Sequence, residues 1–379
     1  MADADAYPAA APSKFDALVK NIGQADFWKT ANALDTMIDF VLEIETPSKN
    51  SASRVAKAVS DRYNEIEEEG LDDYWYDDFG WWIVATDRLI KCEPFKAYWD
   101  QFKKIRDDSA DRMEPATDVW KLPAFKDFQP AVPDGVWNGP ERDPDAWGDK
   151  ADVFKGIQNT VTNLLYLIAA QRLPSAKEAA ANNEFKFLTT WFTMAPEERS
   201  LWWNLKQPFP AALVRERVSH FKNSKMAPWF QQHWVWTGDQ GLILHALVDR
   251  YQQKADPDLL GRAKQILTGA RIYLVDGNGA LENWNDNRGN FSDYPTDGPK
   301  EHHDDYSTGK GVFWRNVLYA WNNNTDLRSF INQDVFKRFL TSSASSAMKA
   351  SSNTIWDLTN DVAVLVAAAK IARPVIERG

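Results

Sequence analysis

Hydrophobic residues recur at three- or four-residue spacing along most of the chain, as they do in helices that bury one face. One series contains Leu34, Ile38, Val41 and Leu42. The same spacing predicts further helices over residues 55–66, 81–90, 161–173, 242–248, 259–267, 312–321 and 355–371. The alternation typical of strands is nearly absent, although residues 272–275 precede a Gly- and Asn-rich turn and predict a small hairpin there. The sequence therefore predicts an all-α protein.

A polar or aromatic segment stands directly before five of these helices, at residues 76–78, 158–163, 236–241, 307–311 and 351–354. The helix after Trp28 adds a sixth apolar helix to this set. Six apolar inner helices, each paired with a more polar outer one, describe an (α/α)6 toroid, and the polar segments would then ring one mouth. An irregular helical bundle is the alternative that the pattern alone leaves open.

The stretch with the clearest chemistry is residues 75–82, which read Trp-Tyr-Asp-Asp-Phe-Gly-Trp-Trp. Paired carboxylates such as Asp77 and Asp78 can protonate a leaving oxygen and attack or stabilise an oxocarbenium-like centre, as acid–base chemistry on a sugar requires. The aromatic residues around them offer flat faces to sugar rings. The same pattern also fits a plain helix start with an N-cap aspartate and an acidic first turn, where the helix dipole favours a carboxylate.

Composition and charge narrow the possible partners. The chain of 379 residues has a formal net charge of -10, which argues against nucleic acid and anionic membranes as partners. Its 18 tryptophans, many beside Asn, Asp, Gly or Gln, are typical of a carbohydrate cleft as well as of a core. Cys92 is the only cysteine, and the first 13 residues lack the features of a signal peptide, so we expect a cytoplasmic protein unless a signal was removed.

No cofactor or metal site is expected from the sequence. Residues 301–305, Glu-His-His-Asp-Asp, have metal-ligand chemistry, but their spacing is too tight for an ordinary tetrahedral site without a distant fourth ligand. We interpret them as a solvated loop. We expect a monomer that binds an oligosaccharide or polysaccharide.

Residues 75–82 resemble the signature of glycoside hydrolase family 76, the α-1,6-mannanases. Further segments at 28–35, 159–163, 236–241 and 310–313 are similar to other motifs of that family, in the same order along the chain. The sequence departs from the family at Gln158, Leu164 and Gly238-Asp239, in positions expected to form subsite walls.

The resemblance implies a fold, a mechanism and a set of site residues. The implied fold is an (α/α)6 barrel, with residues 14–379 as one catalytic domain after a disordered lead of residues 1–13. The implied mechanism is retaining cleavage of α-1,6-mannosidic or related α-glycosidic linkages, with Asp77 as nucleophile and Asp78 as general acid/base. The residues expected to bind substrate are Trp75, Tyr76, Trp81, Asn163, Trp236, Asp239, Gln240 and Lys310.

Two other functions remain open on the sequence. A sugar isomerase of the 2-epimerase type shares the toroid, but its chemistry commonly uses histidine bases, and none of the five histidines lies in a recognisable motif. The second alternative is a non-catalytic carbohydrate-binding protein. The Asp77-Asp78 pair argues against it, because such a protein has no need for two clustered acids. Residues 122–156 and 276–310 form the long loops expected to decide between endo and exo action.

Overall fold

The computed structural model describes residues 6–44, 49–72, 74–113, 135–136, 138, 159–173, 178–192, 211–214, 216, 235–283 and 306–373. These residues form 13 α-helices and two short 3₁₀ helices, Ile22–Gln24 and Glu93–Tyr98. The α-helices are α1 (Ala6–Asn21), α2 (Phe27–Glu43), α3 (Lys49–Glu69), α4 (Tyr76–Leu89), α5 (Trp99–Arg112), α6 (Thr160–Arg172), α7 (Glu178–Trp191), α8 (Thr237–Lys254), α9 (Pro257–Tyr273), α10 (Gly309–Asn323), α11 (Thr325–Ile331), α12 (Asp334–Lys349) and α13 (Ile355–Ile371).

Six of these helices form a closed inner ring. In order around the ring they are α2, α4, α6, α8, α10 and α13; each packs against the next, and α13 packs back against α2. The helices α3, α5, α7, α9 and α12 pack outside α2, α4, α6, α8 and α13, respectively, and α1 also packs against α13. The all-α class and the (α/α)6 toroid predicted from the sequence are confirmed.

The sequence makes the inner helices different from the outer ones. In α8, every residue from Thr237 to Asp249 is buried, and α13 is buried over nearly its whole length. Such a helix must be covered by neighbouring helices on every side, as the inner helices of a toroid are. Side-chain caps fix where several inner helices begin: Asp26, Asn159 and Thr354 each accept a backbone N–H from the first turn that follows.

The polar segments that precede the apolar runs lie largely inside the helices. We predicted helical runs from residues 242 and 312, whereas α8 begins at Thr237 and α10 at Gly309. Close packing explains the small residues there: a Cβ on Gly241 would lie 2.7 Å from the Cα of Phe313. The glycines therefore let neighbouring inner helices approach each other near their N-termini.

The prediction of a disordered lead over residues 1–13 is wrong for residues 6–13, which belong to α1. Tyr7, Ala11 and Phe15 follow one another at helical spacing and are buried. The Phe15 ring stacks on Phe40 with centroids 3.9 Å apart, and Lys14 Nζ lies 2.7 Å from a carboxylate oxygen of Asp361 on α13. The helical spacing of the apolar residues indicates this helix, whereas the Ala- and Pro-rich composition alone suggests disorder.

The hairpin predicted from residues 272–275 is smaller than expected. Ile272 and Tyr273 end α9, and the described pairing is a single antiparallel bridge between Val275 and Leu281. A carboxylate oxygen of Asp276 accepts the backbone N–H groups of Asn278 and Ala280 and closes the turn. Within the described residues, no helix is long and apolar enough to cross a membrane.

Candidate active site

Aromatic side chains near the N-termini of the inner helices meet at one end of the ring. Trp81 of α4 lies between Trp28 of α2, at 6.5 Å between ring centroids, and Trp236 at the start of α8, at 6.4 Å. The Trp236 ring in turn contacts Tyr306, just before α10, at 6.1 Å. On another side of this mouth, the ammonium group of Lys29 lies 4.9 Å from the Trp356 ring of α13. Side chains from five inner-helix starts therefore surround one opening.

The sixth helix start joins the mouth through Asn138. Its side-chain oxygen accepts hydrogen bonds from Asn159 Nδ2 at 2.8 Å and Thr162 Oγ1 at 2.6 Å, both at the start of α6. Its backbone oxygen accepts the Tyr76 N–H at 2.8 Å, at the start of α4. The first turns of α4 and α6 are thus held side by side.

The acidic pair lies in the first turn of α4. Asp77 and Asp78 are the second and third residues of this helix; Asp77 is half-buried and Asp78 is buried. One Asp78 oxygen accepts the backbone N–H of Trp75 at 2.8 Å. Trp75 is the N-cap residue, so neither aspartate occupies the N-cap; Asp78 caps the helix from its third position instead. This bond also fixes the carboxyl group at the mouth, where the positive end of the α4 dipole favours negative charge.

Trp81 lies one helical turn after Asp77, so both residues are on the same face of α4. The Arg315 guanidinium of α10 lies 5.5 Å from the centre of the Trp81 ring. Arg315 is fully buried, and its Nε lies 2.6 Å from an Asp35 oxygen on α2. Trp81 and Arg315 therefore pack together one helical turn after Asp77, and the Asp35 carboxylate balances the buried cation.

Trp236 is fixed from three sides. Its indole N–H donates to the Tyr306 backbone oxygen at 2.9 Å. A Cβ on Gly238 would lie 2.4 Å from the Trp236 ring, and one on Gly309 would lie 2.7 Å from its Nε1. Both glycines are needed for the indole to occupy this position.

Asn163 and Gln240 hold backbone segments in place. The Asn163 amide accepts the Val136 N–H at 2.7 Å and donates to the Val136 oxygen at 3.1 Å. The Gln240 amide makes the same pair of bonds to Val214, both at 2.8 Å. Each side-chain amide thus bonds both the N–H and the C=O of one residue, as the backbone of a neighbouring β-strand would. Both amides therefore have a structural role, because their hydrogen-bonding groups are used to hold backbone segments.

The other two predicted binding residues lie in the first turns of α8 and α10. Asp239 is buried in the first turn of α8, beside Gln240. The Lys310 backbone N–H donates to Asn283 Oδ1 at 2.9 Å, and Lys310 lines a cavity between α10, α12 and α13. The structure therefore brings Trp75, Tyr76, Trp81 and Trp236 to the mouth with the acidic pair, whereas Lys310 belongs to that cavity.

A group of buried charges that the sequence did not predict lies below the mouth. Arg88 of α4 binds the carboxylates of both Asp35 and Asp39 on α2. Burial raises the pKa of Asp39 to about 6, whereas burial of Asp35 is outweighed by Arg88 and Arg315, which lower its pKa. Aspartates one turn apart inside an apolar helix, as at positions 35 and 39, were the available signal.

His245 is the histidine within the described part of the chain, and it lies in a second buried group. It is buried, its Nδ1 lies 2.6 Å from Asn316 Oδ1, and its ring stacks on Tyr319 at 3.9 Å. Burial lowers the pKa of His245 to about 3, which keeps the ring neutral. A buried neutral imidazole does not meet the need of an isomerase for an accessible base. The cluster at residues 301–305 lies outside the described residues, and no group of potential metal ligands occurs within them.

No protein-family model matches the chain, and no curated protein is similar to it in sequence. Solved structures are similar in fold. The α-1,6-mannanase of glycoside hydrolase family 76 from Salegentibacter sp. superimposes with a TM-score of 0.63 at 14% identity, over 97% of this chain and 99% of that one. An inactive variant of that enzyme, with two consecutive aspartates changed to asparagine, was solved with α-1,6-mannotriose.

Two further structures show how widely the fold is shared. The family 76 α-mannanase from Bacteroides thetaiotaomicron has a TM-score of 0.53 at 13% identity, over 92% of this chain and 87% of that one. An unsaturated glucuronyl hydrolase specific for heparin has a TM-score of 0.55 at 10% identity, over 98% of each chain. The fold of this protein is therefore that of the family 76 mannanases, as the motif resemblance implied, and other sugar hydrolases use it too.

Proposed function

We propose that this protein is a retaining glycoside hydrolase that cleaves α-1,6-mannosidic linkages. The observation that carries the proposal is the position of Asp77 and Asp78 in the first turn of α4, at the mouth of the toroid and one turn above Trp81. The Salegentibacter mannanase supports it, because changing two consecutive aspartates accompanies loss of activity in that enzyme. Fold likeness alone would also fit a hydrolase for other sugars, so the substrate needs its own test.

In the proposed reaction, Asp77 attacks the anomeric carbon while Asp78 protonates the departing glycosidic oxygen. Asp78 then takes a proton from water, which displaces the Asp77 ester and releases a sugar with its original anomeric configuration. This geometry needs the two carboxyl groups about 5–5.5 Å apart across the bond. The proposed reaction requires that one carboxyl group holds a proton while the other is ionised.

The first test is incubation of the purified protein with linear α-1,6-mannooligosaccharides, with the products followed by NMR. We expect shorter oligosaccharides with initially α-anomeric ends. Asp77→Asn and Asp78→Asn should each lower turnover by about 10²- to 10⁴-fold. Asp72→Asn is the matched control, because Asp72 is exposed and pairs with Arg112 at 3.0 Å outside the mouth.

The wild-type protein could leave the mannooligosaccharides intact and cleave another α-glycoside in a glycan panel. That result would reject α-1,6-mannan as the substrate and retain the assignment as a glycosidase. Full activity in the Asp77→Asn and Asp78→Asn variants would reject the catalytic role proposed for the two aspartates. Products with initially β-anomeric ends would reject the double displacement.

An aryl α-mannoside with a good leaving group separates the two roles. In Asp78→Ala, its first step needs no acid, and azide should restore turnover and give the α-mannosyl azide. In Asp77→Ala, azide should instead take the place of the nucleophile and give the β-mannosyl azide. The opposite pairing of products would exchange the roles assigned to Asp77 and Asp78.

A further inference from the structure

The side of the mouth formed by α2 and α13 carries a pair of indole rings that the sequence did not assign to the substrate. Trp28 and Trp356 are each the second residue of their helix, and these two helices are neighbours in the inner ring. The Lys29 ammonium nitrogen lies 5.2 Å from the centre of the Trp28 ring and 4.9 Å from that of Trp356. One cation therefore joins the two rings across the boundary between α2 and α13.

Lys29 is held in this position by Asp26, the N-cap residue of α2. One carboxylate oxygen of Asp26 accepts the Lys29 backbone N–H at 3.1 Å, and the other accepts its ammonium group at 2.8 Å. The Lys29 side chain is 11% exposed, whereas that of Asp26 is 45% exposed. Lysine thus supports the rings from inside, and the carboxylate is the half of the ion pair that solvent reaches. The pair has no net charge, which favours a neutral ligand over an ion.

Exposure separates these two rings from the other indoles of the mouth. Trp81 and Trp236 are each 4% exposed, so nearly all of their surface is used in packing. Trp28 and Trp356 are half-buried, and both still reach solvent. The Trp28 ring also lies 6.5 Å from Trp81, the residue one helical turn after Asp77. An aromatic surface therefore runs from the acidic pair toward the start of α13.

We propose that Trp28 and Trp356 form a subsite that binds one unit of the sugar chain away from the linkage that is cleaved. The C–H groups of a pyranose ring pack on the indole surface, and its hydroxyls donate to the exposed Asp26 carboxylate, so that an apolar wall carries one polar anchor. The subsite selects neutral oligosaccharides over shorter sugars. This inference rests on the proposed function, because it takes the acidic pair as the place of cleavage.

The test is calorimetric titration of the full chain carrying Asp78→Asn, which blocks turnover, with α-1,6-mannobiose, mannotriose and mannotetraose. We expect the affinity to rise with chain length. Adding Trp356→Leu should weaken mannotetraose binding about three- to tenfold, the contribution of one aromatic contact, and leave mannobiose binding unchanged. Adding Trp356→Phe keeps an aromatic surface and should keep most of the gain with length.

Trp99 provides the matched control. It is also half-buried, and the Lys96 ammonium group lies 5.7 Å from the centre of its ring, but it belongs to the outer helix α5. Trp99→Leu should therefore bind each oligosaccharide as the Asp78→Asn protein does. Partial unfolding of a variant would lower the apparent affinity for every chain length by the same factor. The ratio of the mannotetraose affinity to the mannobiose affinity therefore reports on the subsite alone.

The proposal is overturned if Trp356→Leu leaves this ratio unchanged, or if Trp99→Leu lowers it by as much. It is also overturned if the Asp78→Asn protein binds mannotetraose no more tightly than mannobiose. Cleavage by the wild-type protein is measured separately and decides the proposed function. A ratio that falls in Trp356→Leu, in a protein that cleaves no glycan, would reject the hydrolase and retain the subsite.

Discussion

At the residue scale, two glycines hold open the space that the Trp236 indole occupies. Gly238 lies in the first turn of α8 and Gly309 begins α10, and a Cβ at either position would contact the ring at well under 3 Å. Neither glycine has a positive φ angle, so their role is to leave room for the ring. The position of Trp236 at the mouth thus depends on two residues that have no side chain to bind substrate.

Gly238→Ala should displace the Trp236 ring and weaken the binding of α-1,6-mannotriose about tenfold, which is ~1.4 kcal/mol. Gly261→Ala is the control, because Gly261 lies on the outer helix α9 with no atom within 4 Å of an added Cβ. That variant should bind normally and gain roughly 0.5–1 kcal/mol of stability. Calorimetric titration in the Asp78→Asn background measures the affinity of both variants, and urea unfolding measures the stability of Gly261→Ala. Unchanged affinity in Gly238→Ala would remove Trp236 from the substrate site.

The buried carboxylates of Asp35 and Asp39 predict opposite pH behaviour. Because the pKa of Asp39 is raised to about 6, the folded protein keeps a proton there from about pH 4 to 6 that the unfolded chain loses. The Asp39 contribution to the free energy of unfolding therefore falls as the pH rises through this range. The pKa of Asp35 is lowered, so its contribution changes only below about pH 4.

Urea unfolding of the two asparagine variants checks this difference. Relative to wild type, Asp39→Asn should become more stable by about 2–3 kcal/mol between pH 4 and pH 7. The stability of Asp35→Asn relative to wild type should be constant over the same interval and lower throughout, because Arg88 and Arg315 lose a buried partner. Parallel curves for the two variants would contradict the opposite pKa shifts.

At the element scale, the sequence predicted which segments are helical more accurately than where they begin. The apolar runs identified α6, α8, α10 and α13, and the acidic pair was correctly placed at a helix start. The apolar pattern does not include the first turns of α8 and α10, because these turns contain Gly and Asp, which have low helix propensity or favour turns. Packing outweighs that preference where Gly241 meets α10 and Gly311 meets Asn360.

The amide of Gln240 was predicted to bind sugar, and its contacts predict a stability effect instead. Gln240→Leu leaves the buried N–H and C=O of Val214 without their partner, which should cost about 2–4 kcal/mol of unfolding free energy. Chemical denaturation measures that loss, and mannotriose titration of the folded variant measures substrate affinity. A stable Gln240→Leu protein with weakened mannotriose binding would restore Gln240 to the substrate site.

At the scale of the whole molecule, the closed ring brings together residues that no local pattern connects. Asn32 and Arg315 are 283 positions apart and hydrogen-bonded to each other, and the contact exists only because α2 and α10 both belong to the ring. The number of inner helices and their order were readable from repeated apolar runs. Contacts between helices across the ring could not be predicted, because the apolar spacing within one helix does not indicate which other helix packs against it.

The N-terminal helix provides the last test, because α1 packs against α13 at the point where the two ends of the ring meet. Tyr7 is fully buried there, and its hydroxyl has no partner among the described residues. Tyr7→Ala should therefore lower the free energy of unfolding by about 3 kcal/mol, as for other large-to-small core changes. Tyr7→Phe removes only the unpaired hydroxyl and should be neutral or stabilising. Equal stability of Tyr7→Ala and wild type in urea would mean that these residues are a disordered lead in solution and that the ring closes without them.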